Sequence, residues 1–148
     1  MPIPHLEVWF PKLRTDGYRV TSPSTPRYNC IAWAAGRDNK WWWPPMSIGG
    51  YYWPTGIPTS TTIDSFIKAF ELDGYQKCDD ADLDPAYEKI ALYVDSDRTA
   101  THAARQLESG AWTSKLGRAE DIEHNTLSSL EGETYGSVAQ IMRRPQAS

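Results

Sequence analysis

Cys30 lies in Tyr28-Asn29-Cys30-Ile31-Ala32-Trp33-Ala34-Ala35-Gly36, which reads as a short helix with Asn29 as its N-cap and Gly36 as its stop. A thiol at that position meets unpaired backbone N–H groups and the positive end of the helix dipole, and both favour the nucleophilic thiolate. The bland alternative is a small buried apolar side chain. His102 is the natural partner, since a strand histidine facing a helix-borne cysteine can take its proton and return it to a leaving group. His5, by contrast, lies in the irregular start of the chain. A third group would hold the imidazole. Ser114 follows His102 by twelve positions, and His124 lies further on in Asp121-Ile122-Glu123-His124. Either can donate to or accept from the ring, and the residues alone leave both open.

These side chains need a scaffold to bring them together. Residues 1–27 are Pro-rich and irregular, with Leu6-Glu7-Val8-Trp9-Phe10 as a short strand. Thr21-Ser22-Pro23-Ser24-Thr25-Pro26 reads as irregular because its prolines lack N–H donors and restrict their neighbours. A long loop from Asn39 to Thr59 follows the Cys30 helix. A second helix is predicted over 62–73, where Ile63, Phe66, Ile67 and Phe70 recur at i, i+3, i+4 and i+7. The remainder reads as a meander. Lys89–Val94 is an apolar strand, and 101–107 and 111–116 flank the turn Glu108-Ser109-Gly110. Gly117–Asn125 reads as a polar loop, followed by a helical turn near 126–130 and a last strand around 135–142. Helices first and strands afterwards predict an α+β domain, short helices packed on an antiparallel sheet.

The 148 residues fit a single domain, 1–148, with its core over 28–144. Its 19 acidic and 15 basic residues leave a net charge of −4, which argues against a nucleic-acid partner held by phosphate contacts. The sequence has no apolar run approaching the ~20 residues of a membrane span, so no membrane partner is expected. Cys30 and Cys78 read as free thiols in a reducing compartment. The start of the chain lacks the pattern of a signal peptide, so the expected location is cytoplasmic, or outside by a route without a classical signal.

The 18 aromatic residues and 11 prolines argue for ordered loops packed by rings. Trp41, Trp42, Trp43, Tyr52 and Trp53 form two clusters whose flat amphipathic rings suit a groove for peptide or sugar, while the simpler reading is a Pro-rich loop packed over the core. No C-x₂-C or His-x₃-His spacing occurs, so no metal and no cofactor are expected. Asp79–Asp84 lacks the glycine and terminal Glu of a calcium loop and reads as a solvated turn.

The order Tyr28-Asn29-Cys30-Ile31-Ala32-Trp33-Ala34, then Lys89–Tyr93, then Thr101-His102-Ala103-Ala104-Arg105 resembles the NlpC-type branch of the papain-like cysteine peptidase superfamily. Trp112–Gly117, Asp121–His124 and Tyr135-Gly136 also resemble a group of small bacterial proteins. The resemblance implies a papain-like fold in which Cys30 is the nucleophile, His102 the base and Ser114 the third residue. The usual third residue is His, Asn or Gln, which keeps His124 as the chemical alternative. It implies a thiol hydrolase, whether amidase, peptidase or deamidase. The expected substrate is a peptide, peptidoglycan fragment or protein. The alternative on the same fold is a binding or toxin-associated interaction module with a partner protein.

Overall fold

In the computed structural model, which describes residues 4–22, 28–36, 42, 43, 53, 56, 57, 60–116 and 120–146, helices flank one sheet on both faces. The elements are α1 (Pro4–Trp9), α2 (Leu13–Asp16), β1 (Tyr18–Ser22), α3 (Cys30–Ala34), α4 (Ile63–Leu72), β2 (Gln76–Cys78), β3 (Tyr87–Val94), β4 (Ala100–Gln106), β5 (Trp112–Lys115), β6 (Asp121–His124), a 3₁₀ turn (Leu127–Leu130) and β7 (Ser137–Pro145). The seven strands pair antiparallel in the order β1-β6-β5-β4-β3-β7-β2. The fold is α+β, as expected.

The pleat divides the molecule into two apolar clusters. On one face Ile90, Leu92, Ala103 and Met142 meet Ile31 and Ala34 of α3 and Ile63, Phe66, Ile67 and Phe70 of α4. The four α4 side chains occupy the stripe their spacing predicted, and burying each is worth about 1.5–3 kcal/mol. On the other face Ala91, Tyr93, Ala104, Trp112 and Ile122 meet Leu6 and Phe10 from the α1 segment and Leu13 of α2.

Four expectations need correction. Residues 6–9 are helical, not extended, because Leu6, Phe10 and Leu13 recur at helical spacing and are buried, whereas Val8 and Trp9 are exposed. Tyr18–Ser22 forms an edge strand inside the segment read as irregular. Gln76–Cys78, to which no element was assigned, extends the opposite edge. The polar loop expected over 117–125 contains β6, whose Asp121, Ile122 and His124 are buried.

Candidate active site

Asn29 sets the start of α3. Its Oδ1 accepts from the backbone N–H of Ala32 at 3.1 Å and of Trp42 at 2.9 Å, while its Nδ2 donates to the Trp42 carbonyl at 2.6 Å. One side chain thus caps the helix and ties Trp42 to it. Cys30 is the first residue of α3 and is 5% exposed. The backbone N–H groups of Ala103, Ile31 and Cys30 favour its thiolate, as does the charge of nearby Lys115, but burial outweighs them and pushes the thiol up to about 11. The helix start therefore does not yield a preformed thiolate in this state.

Lys115 and Asp121 are paired across β5 and β6 beside the cysteine. Lys115 is buried, with its ammonium 5.4 Å from the centre of the Tyr28 ring, and the Tyr28 hydroxyl donates to Asp121 Oδ2 at 2.5 Å. Tyr28 stacks on Trp33 at 5.3 Å, and the Trp33 indole N–H reaches Thr113 Oγ1 at 2.9 Å.

Through the sheet lies a chain of polar groups. His102 Nε2 is 2.9 Å from Ser114 Oγ, which is 2.8 Å from His124 Nε2, and His124 Nδ1 is 2.9 Å from the Thr126 carbonyl oxygen. All three side chains are completely buried. The two candidates for a third residue are successive links of one chain. The β5–β6 register accounts for it: Ser114 faces Ile122 and Trp112 faces His124, so Ser114 and His124 share a face two positions apart. Tyr135 stacks on the His102 ring at 4.2 Å with an 8° interplanar angle, and Tyr93 meets it edge-on at 5.2 Å. Gly136 permits that stacking. Its φ is +77°, and a Cβ there would lie 1.9 Å from the Val94 carbonyl oxygen. Burial holds His102 well below, and His124 at about 4 against, the ordinary imidazole value.

His102 and Ala103 are adjacent on β4, one side chain turned to the tyrosines and the other to the helices. Strands β4 and β5 pair at Arg105↔Thr113 and Gln106↔Trp112 and form no rung at Ala103, which pairs with Leu92 of β3 and packs in one cluster with Cys30. Cys30 and His102 thus lie against opposite faces of β4. No hydrogen bond joins them: His102 Nε2 goes to Ser114 and its Nδ1, buried, has no partner.

The aromatic clusters divide. Trp42 is buried with its backbone tied to Asn29, and Trp43 and Trp53 each pack edge-on against Phe66 of α4 at 5.1 Å. Trp41 and Tyr52 lie outside the described residues. Cys78 is unbonded, like Cys30, and donates to the Asp80 carbonyl. Among the described residues no group of three His, Cys, Asp or Glu side chains is placed to hold a metal ion, and no helix is long and apolar enough to cross a membrane.

Residue spacing missed two contributors to this site. Lys115 follows Ser114 directly but gives no sign in sequence that it is buried. Tyr135 stands at the start of the last predicted strand, and nothing in its spacing signals that its ring stacks on His102.

A family model described as Domain of unknown function (DUF7689) matches residues 19–143. The chain belongs to this family. The DUF7689 span contains Cys30, Ala103 and the whole His102–Ser114–His124 chain, whereas α1 and α2, which close the face over His102, precede it. No curated protein and no solved structure matches significantly.

Proposed function

We propose that the protein is a papain-like thiol hydrolase acting on an amide bond. The observation that carries this reading is a cysteine opening the Asn29-capped helix α3 and packing in one cluster with Ala103 of β4, with a buried His102 one residue earlier on that strand, held at Nε2 by Ser114 with its Nδ1 unpartnered. Both partners are neutral at rest, because burial disfavours thiolate and imidazolium alike. Proton transfer therefore accompanies attack. Cys30 and His102 face opposite sides of the sheet at rest, so the reaction requires them to be brought together. The thiol proton then moves to His102 Nδ1 as sulfur bonds to the substrate carbonyl carbon, with the Cys30 backbone N–H helping to hold the oxyanion. His102 then gives that proton to the leaving amine as the C–N bond breaks. Water, deprotonated by the same ring, releases the acid and restores the thiol.

Peptides, peptidoglycan fragments and protein side-chain amides all fit this chemistry. The two unbonded cysteines fit a reducing, cytoplasmic setting. The near-complete burial of Cys30 favours one second reading, an interaction module on the same scaffold that does not turn substrate over. Amine or ammonia release from a panel of peptidyl and glutaminyl amides separates the two. A hydrolase loses about 10³-fold or more of its rate in Cys30→Ala and in His102→Ala. Unchanged release in Cys30→Ala overturns the thiol mechanism, and no release by a folded wild-type chain favours the interaction module.

A further inference from the structure

The hydrogen bonds around Ser114 have a direction, and it originates outside the Cys–His pair. A carbonyl oxygen only accepts, so the Thr126 carbonyl, 2.9 Å from His124 Nδ1, requires the proton of that ring to sit on Nδ1. A neutral imidazole then has a bare Nε2, which must accept from the Ser114 hydroxyl 2.8 Å away. Serine has one hydroxyl proton. Having donated it to His124, Ser114 can only accept from His102, so Nε2 of His102 carries the hydrogen across the 2.9 Å contact. The lone pair of the His102 ring is left on Nδ1, the buried nitrogen without a partner.

We propose that His124 is a positioning residue whose bond to the Thr126 carbonyl sets, through Ser114, which nitrogen of His102 is the base. This deepens the hydrolase reading and rests on it for the word base, while the tautomer stands independently of any turnover. The reverse tautomer would leave an N–H on the unpartnered Nδ1 and set two acceptors against each other at Ser114. Forfeiting one buried hydrogen bond biases the two tautomers by about tenfold or more. No other described polar side chain is bonded to either ring, so nothing else on this face competes to set the direction.

The test needs no substrate. In protein labelled with ¹⁵N-histidine near neutral pH, long-range ¹H–¹⁵N correlations should show His102 protonated on Nε2 and bare on Nδ1, and His124 the opposite. The preference at His102 should fall from tenfold or more to near parity in His124→Phe, which keeps the ring but neither nitrogen. Finding Nδ1–H on His102 in the wild type overturns the inference even if every variant fails to fold. An unchanged preference in a folded His124→Phe chain overturns the role of His124. Where an amide is turned over, kcat should fall in that variant with KM little changed, whereas a merely structural role would lower the yield of active protein and leave both constants alone. Absence of turnover with the tautomers as described would defeat the hydrolase reading and leave the proton order standing.

Discussion

The two faces of the sheet bury their polar groups by opposite rules. On the α3–α4 face, Cys30 sits in an apolar cluster, and the polar groups there pair locally: buried Lys115 over Tyr28, and Trp33, half-buried, bonded to Thr113. On the other face, His102, Ser114 and His124 are completely buried and satisfy one another in series. An interior of the first kind loses a single polar contact when one partner is removed. One of the second kind loses more, because each link serves two neighbours.

Ser114→Ala is the sharpest way to break that comparison. It strands Nε2 of His102 and of His124 in the interior, at about 1–3 kcal/mol for each, so urea unfolding should show a loss of about 2–6 kcal/mol. A loss under 1 kcal/mol would mean that the chain contributes little to stability.

The faces should also fail at opposite ends of the pH scale. His124 is held at about 4 against 6.5, so its contribution is present above pH 6.5 and is lost as pH falls through about 4, with His102 adding to the loss at lower pH. The His124 share is about 3 kcal/mol, and in His124→Phe the acid limb of a stability–pH curve should be shallower. Cys30 is raised from 9.0 to about 11, so its contribution is present below pH 9 and is lost as pH rises through about 11. That share is also about 3 kcal/mol, and Cys30→Ala should flatten the alkaline limb and leave the acid limb unchanged.

Two smaller effects refine the helix face. Asn29→Ala removes the α3 cap and both ties to Trp42, and should lower stability by about 1–2 kcal/mol in thermal unfolding. Thr113→Ala, one residue from Ser114 on the opposite face, removes a single bond to the half-buried Trp33 and should cost about 1 kcal/mol. Equal losses for the Thr113 and Ser114 variants would erase the distinction between the faces.

Elements with a single unambiguous period were legible. The α4 stripe, the Lys89–Val94 run and the hairpin around Gly110 all follow from spacing and turn chemistry. Strand β6 did not, because Asp121-Ile122-Glu123-His124 presents only one apolar residue. The reasons for burying Asp121 and His124 are Tyr28 and Ser114, partners distant in sequence. The α1 segment carried its signal in Leu6, Phe10 and Leu13, but the dense apolar run through Val8 and Trp9 hid it. For the site, residue chemistry reached Cys30, His102, Ser114 and His124 as candidates. It did not reach their order, because choosing between Ser114 and His124 presupposes one answer, whereas the β5–β6 register puts them in line.

The absent rung at Ala103 gives the protein a built-in reporter. The β4–β5 ladder has rungs at Arg105 and Gln106 and none at the Ala103 amide, which lies in the same apolar cluster as Cys30. That amide should exchange with solvent deuterium faster than the amides of Ile90 and Leu92 on the adjoining strand, and its resonance should shift when the sulfur is alkylated or acylated. A single backbone signal can thus report the chemical state of Cys30 without any substrate, dye or engineered label.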